Sequence, residues 1–256
     1  SNKIFFLWHD YLNIIGDMPD ELYDYLENNN IESIIDAAHS LPIKDYRCPN
    51  VIYGFRKLLN QPFGSLLQSN RHQDIKPKNC PLTKIWLFSL AYRIKAIFYL
   101  LLKNYDNKIC NGFLKILSSF DGLFSFDKRD NFLYDDYVHN NIINQHRVID
   151  YQKICQKRRK NFLQYHKRLT NQLNLNEFDI LCPYGFPLIV EDNQLVRKKL
   201  WEEGIHSFIL WGSLHNDSSR EESEYSNYLS HSNIILPVNQ DLSSSDINKI
   251  IDILNA

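Results

Sequence analysis

Two short apolar runs, each ending in a residue capable of chemistry, constrain this chain more than any other feature. Ile31, Ile34 and Ile35 lead into Asp36-Ala37-Ala38-His39-Ser40, and Val51-Ile52-Tyr53-Gly54-Phe55 leads into Arg56-Lys57. Apolar and β-branched runs bounded by polar turns predict strands, here over 31–36 and 50–55. Ahead of them lie a strand candidate, Lys3 to Trp8, and a helix over 20–28 with Leu22, Tyr25 and Leu26 on one face. Asn28-Asn29-Asn30 ends that helix, because Asn tolerates the left-handed backbone. Parallel strands need a crossover, so strand, helix, strand with short connections predicts parallel pairing in an α/β layer. Ligands of such open sheets bind beyond the C-terminal strand ends, which is where Asp36 stands.

The bulk numbers exclude several function classes. With 256 residues, 44% hydrophobic, the chain can bury one large core or two smaller ones. A net charge of −1 gives no electrostatic case for nucleic acid or an anionic membrane. Cys48, Cys80, Cys110, Cys155 and Cys182 are odd in number and form no C-x-x-C pair. That pattern reads as reduced thiols of a cytoplasmic protein, against a disulfide framework or a zinc site. No H-E-x-x-H, G-x-S-x-G, P-loop or G-x-G-x-x-G occurs. Ile4 to Trp8 is too short an apolar run for a signal peptide. Ile85 to Leu102 is interrupted by Arg93 and Lys95 and reads as a core helix.

Downstream, 68–81 is a polar connector, helices are expected at 82–104 and 107–118, and 119–137 shows no clear periodicity. A long helix is predicted over 139–172, with Ile142, Ile143, Val148, Ile149 and Ile154 as early apolar positions. Its basic run, Lys157 to Lys160 with Arg168, reads as a solvated face. The remainder predicts an α+β unit: strand 186–190, helix 193–203 stopped by Gly204, strand 206–211, helix 219–229, strand 234–238 and helix 244–254. Ser244 or Ser245 can cap the last helix.

By itself Asp36 reads as a turn or cap residue, and Lys57 as solvated surface. Their neighbours change both readings. Small residues at 37 and 38 let a flat ring approach the backbone, and His39 can reach an oxygen on it. Leu58, Leu59 and Phe63 offer an apolar setting in which a lysine amine is neutral and nucleophilic, and Arg56 adds a like charge. The D-x-A-H segment at 36–39 resembles that of fold-type-I pyridoxal phosphate (PLP) transferases. Phe55-Arg56-Lys57-Leu58, followed by Pro62 and Gly64, resembles the S-[LF]-R-K-x-L-x-x-P-x-G-G segment of the DegT/DnrJ-type aminotransferases. Lys157 to Phe162 resembles their R-R-x-N-[YF], and Pro187 to Val190, Gly204-Ile205 and Trp211 resemble P-[IV]-x-V … G-I … W. Leu236 to Gln240 resembles L-P-[IV]-D-Q with Asn239 for Asp, and Trp211 reads as a core residue.

The resemblance implies an α/β fold, with a partial PLP-transferase large domain, a mostly parallel sheet with helices, over 1–140. A C-terminal α+β small domain is expected over 141–256. It implies PLP as cofactor, held by Asp36 at the ring nitrogen, His39 at the ring oxygen and Lys57 through a covalent link, with Lys57 also the catalytic base. The implied reaction moves an amino group from an amino acid donor, such as glutamate, to a ketone acceptor such as a nucleotide-linked sugar. A cytoplasmic homodimer without nucleic-acid or membrane partners is expected. Two alternatives accompany it: a degenerate or truncated homologue acting as a non-enzymatic partner subunit, and a class V desulfurase- or lyase-like PLP enzyme. The family's phosphate cup and ring-stacking aromatic normally precede this segment, so the resemblance implies that an N-terminal part is missing. Gly54 stands where the family commonly has a phosphate-binding Ser, and Ser65 replaces its second glycine. Both imply a weakened hold on the cofactor.

Overall fold

The structure, a computed structural model, describes residues 4–59, 65–69, 149–170, 180–212 and 223–255. The expected helices at 82–104 and 107–118, the stretch 119–137 and the start of the helix expected from 139 lie outside the described residues. By its contacts the chain divides into two compact units. One comprises Ser1–Asn60, Ser65–Asn70 and Asp150–Ala256; the other comprises Gln61–Gly64 and Arg71–Ile149. The secondary structure described below belongs to the first.

A four-stranded sheet runs in the order β1 (Phe5–His9), β2 (Glu32–Ala37), β3 (Asn50–Gly54), β4 (Ser65–Ser69). The first three strands are parallel, as the crossover argument expects, and β4 closes the edge antiparallel to β3. The β4 strand was not anticipated, because Leu66-Leu67 is too short an apolar run to stand out from its polar surroundings. Burial alternates along β2 and β3, with Ile35, Ala37, Val51 and Tyr53 inside. Helix α1 (Asp20–Asn28) covers that face with Tyr23 and Leu26. Tyr25, expected on the same face, is 59% exposed, since the inward stripe passes through 22, 23 and 26. Asn30 has φ +53°, the left-handed conformation that lets the chain turn into β2.

The C-terminal part builds a second sheet of β5 (Gly185–Ile189) antiparallel to β6 (Asn233–Pro237), flanked by α3 (Tyr151–Arg168), α4 (Asn193–Glu202), α5 (Ser223–Ser232) and α6 (Ser244–Asn255). Helix α3 begins at Tyr151 rather than running through 149–150. Asp150 is non-helical and its carboxylate accepts the Lys153 N–H at 3.0 Å, so it caps the helix. Asp192 caps α4 in the same way through Gln194 and Leu195, and Gly204 (φ +74°) follows the end of that helix. For α6 the cap is Ser243, neither Ser244 nor Ser245: its hydroxyl accepts the Asp246 N–H while Asp246 reaches back to the Ser243 N–H. The strand expected over 206–211 is reduced to one bridge, Phe208 with Ile235. Trp211, with φ +53°, carries the chain away from an extended path.

Arg158 corrects the reading of the basic run as a solvated face. It is 1% exposed and donates to the Pro183 and Tyr184 carbonyls and to Gln240 Oε1 at 2.7–2.9 Å. The helical period places 158, 161, 162 and 165 on the inward face, so one cation of the run is buried by phase. Neighbouring Asn161 donates to the Asn239 carbonyl at 2.8 Å and ties α3 to the chain after β6.

Candidate active site

The register of the parallel strands assembles the site. His9 at the end of β1 sits beside Asp36 at the end of β2, and β3 delivers Gly54 and then α2 (Phe55–Leu58), which carries Lys57. Asp36 is half-buried, and its two carboxylate oxygens accept from His9 Nδ1 at 3.1 Å and from the Ala38 N–H at 3.0 Å. The His9 hydrogen bond, then the Ala38 N–H and nearby positive charge, hold the Asp36 carboxyl below the usual carboxylate range, against the effect of burial. A carboxylate at a strand end, ionised and still reachable, is what a cationic ring nitrogen needs as a partner.

His39 is 2% exposed and its ring is gripped on three sides. Its Nδ1 accepts the Leu12 N–H at 3.3 Å, its Nε2 lies 2.8 Å from Lys57 Nζ, and Tyr184 stacks on its face at 4.7 Å and 2°. Burial first, with the neighbouring Lys57 and His9 adding to it, pushes the imidazole down to about 3, so it is neutral in ordinary buffers. The structure therefore brings Asp36, His39 and Lys57 together around the end of one sheet.

Sequence reasoning missed several residues of this site. His9 lay in a strand candidate with no motif attached. Leu12 and Asn13 have φ of +53° and +56°, a backbone that a bulky side chain rarely adopts. That turn aims the Leu12 N–H at His39, while its carbonyl accepts the Tyr184 N–H and Asn13 donates to the Cys182 carbonyl. Buried Asp10 braces the turn, accepting from Tyr46 Oη at 2.6 Å and the Gly16 N–H at 3.0 Å. Trp211, expected in the core, is 58% exposed, with its ring 5.2 Å from His9 and 5.1 Å from Tyr11. An aromatic residue three elements away in sequence gives no local signal of such a position.

The donor set suits PLP. The phenolic oxygen and the aldehyde carbon of that cofactor are neighbours on its ring, and His39 and Lys57 are in contact. The ring nitrogen lies on the opposite side, and Asp36 offers a carboxylate for it. His9 Nε2 is buried with no hydrogen-bond partner among the described residues, so the polar lining is not internally exhausted. The phosphate end is less provided for. A Cβ built on Gly54 would meet the Ala38 carbonyl oxygen at 2.6 Å, so the 36–39 loop and the end of β3 approach too closely for a serine there. Cys48, Cys155 and Cys182 are buried, and the hydrogen bond with Cys182, together with burial, pushes the Cys155 thiol up. None of these three suits the exposed nucleophile of a desulfurase. Among the described residues no cluster could hold a metal, and no helix is long and apolar enough to cross a membrane.

The fold is that of the PLP-dependent transferases of DegT type. Over 97% of its length the chain superimposes on 63% of a DegT DnrJ EryC1 StrS aminotransferase from Brucella abortus, with TM-score 0.59 and 13% identity. The aminotransferase TlmJ from Streptoalloteichus hindustanus matches 98% of the chain over 64% of its own length, with TM-score 0.57 and 13% identity. DesI, solved in the presence of its TDP-sugar product, matches 99% over 62%, with TM-score 0.56 and 12% identity. The chain thus spans less than two thirds of the length of these proteins, and the likeness is one of fold. No family model matches the sequence, and no curated protein matches it.

Proposed function

We propose that this chain carries the cofactor-holding centre of a PLP-dependent aminotransferase. In this reading an amino acid gives up its amino group to a ketone of the nucleotide-linked sugar class. The observation that carries it is the convergence of Asp36, His39 and Lys57 at the C-terminal ends of adjacent parallel strands. Bound PLP would supply an electron sink for the bond-breaking step at the substrate carbon. Asp36, ionised and braced by His9, keeps the ring nitrogen protonated. His39 donates to the phenolic oxygen, and Lys57 anchors the cofactor and then carries a proton as general base. The ketone class rests on the fold likeness to DesI and its TDP-sugar product. A cytoplasmic homodimer belongs to the same reading, the location resting on cysteine usage alone.

Gly54 favours a second reading, that of a weakly loaded partner subunit. Losing one charge-assisted phosphate bond, about 1.5–3 kcal/mol, weakens affinity by roughly ten- to a hundredfold. Titration of the purified chain with PLP, followed by borohydride reduction and peptide mass mapping, tests both. The expected result is modification at Lys57, half-complete only at a high PLP concentration. Modification spread over surface lysines with Lys57 spared would overturn the aminotransferase reading.

A further inference from the structure

A neutral imidazole carries one proton, and the contacts of His39 say which nitrogen holds it. The Leu12 N–H points at Nδ1, so Nδ1 offers its lone pair and the ring proton sits on Nε2. The group 2.8 Å from Nε2 is Lys57 Nζ. An ammonium has three donors and no acceptor, and would meet an N–H head-on. An amine with a lone pair accepts that N–H. We propose that His39 is a positioning residue that donates through Nε2 to Lys57 and thereby holds the lysine as a neutral amine before any cofactor arrives.

Three features keep the ring from escaping this role by flipping or rotating. The Leu12 donor is delivered by a left-handed residue, which the Asp10, Tyr46 and Gly16 hydrogen bonds pin in place. The Tyr184 ring lies parallel on the imidazole, and the Tyr184 carbonyl is held by buried Arg158. Burial leaves the ring no water to exchange partners with. The other titratable groups facing the pair among the described residues are His9 from β1, Asp36 from β2 and Tyr184 from the segment before β5. Asp36 engages His9 and the Ala38 N–H, so the carboxylate that would favour an ammonium is occupied elsewhere. The consequence is a lysine ready to attack an aldehyde at neutral pH, with its proton loss completed in the folded chain.

The proposal deepens the aminotransferase reading, since a neutral lysine is the form that attacks PLP, but its test needs no cofactor. Competitive acetylation of the full chain with trace acetic anhydride across pH 6–11, read lysine by lysine by mass spectrometry, reports which amines are neutral. Lys198 and Lys249, 74% and 57% exposed, serve as internal references. The expected result is that Lys57 reacts at lower pH than both references. His39→Phe keeps the stacked ring but has no donor, and it should raise the Lys57 midpoint by roughly one pH unit. His39→Gln restores an N–H donor and should bring the midpoint most of the way back. Lys57 titrating with the references in the wild-type chain would overturn the proposal, as would an unchanged midpoint in His39→Phe with native circular dichroism. If His39→Phe does not fold, His39→Gln decides: a midpoint above that of His39→Gln is then excluded for the wild type. A lowered Lys57 midpoint with no PLP capture would leave the proposal standing and remove the aminotransferase reading.

Discussion

Beneath the β1–β4 sheet, the core carries polar atoms that are paired one by one. Tyr23 donates to Asp17 and Tyr46 to buried Asp10, each at 2.6 Å, and Tyr53 reaches Gln68 at 3.3 Å. Around β5 and β6 the core is Phe162, Phe186, Leu188, Leu200 and the isoleucines of β6 and α6, with the Tyr165 hydroxyl as one polar group, tied to the Pro237 carbonyl. Burial of shape and volume holds the second core, whereas directional bonds hold the first. Those same bonds run on to Leu12, His39 and Lys57. Left-handed Leu12 and Asn13, a buried carboxyl and two histidines are local costs that the apolar core does not carry. The site therefore lies where the local rules are broken, and the apolar core beside it provides the stiffness.

Substitutions on the two sides should fail differently. The largest expected effect is functional: Lys57→Ala lowers transamination by about a thousandfold or more and abolishes capture of PLP at this position. Its urea-unfolding midpoint should stay at the wild-type value, because the side chain is exposed on α2. Phe186→Ala should do the reverse in kind. Its ring packs against Phe162 at 4.8 Å and Tyr165 at 5.2 Å, and truncation should cost about 3–5 kcal/mol in chemical denaturation. Tyr46→Phe keeps the shape of the first core but removes the donor to Asp10. Stability should drop by about 1–3 kcal/mol. The Lys57 labelling profile should shift with it, whereas Phe186→Ala should leave that profile alone until the chain unfolds.

Acid gives a milder contrast. Burial holds His39 down at about 3, below its ordinary value of about 6.5, so the unfolded chain binds the extra proton. The neutral ring's contribution is complete above pH ~6.5 and is lost as pH falls toward about 3, at no more than about 1.4 kcal/mol per pH unit. Asp36, held below the carboxylate range, adds a loss in the same direction at lower pH. Asp10, raised chiefly by burial, works oppositely, its contribution being present in acid and lost as pH rises. Between pH 6.5 and 5 the histidine term dominates. His39→Gln should flatten unfolding midpoints measured across that interval, and an unchanged slope would refute the assignment.

Much of this was legible in the residues themselves. The β2 and β3 runs, the α1 stop at Asn30 and the Gly204 stop after α4 are local signals, and each element formed within two residues of its expected ends. Asp36, His39 and Lys57 were marked by their immediate neighbours: two alanines that admit a flat ring and a pair of leucines that desolvate an amine. What misled was periodicity without depth. Tyr25 and the basic run on α3 were placed by pattern alone, and the phase of the helix against its core reversed both.

The chain alone determined which chemistry was on offer, because strand ends, small residues and a lysine after a strand are written over a few adjacent positions. Only tertiary structure decided how that chemistry is tuned. His9 meets Asp36 through strand register, Leu12 meets His39 through a left-handed turn, and Tyr184 arrives from beyond α3 on the hold of a buried arginine. Hydrogen-bond direction, burial and stacking set the proton on His39. Those quantities exist only between segments far apart in sequence, so no local pattern could carry them.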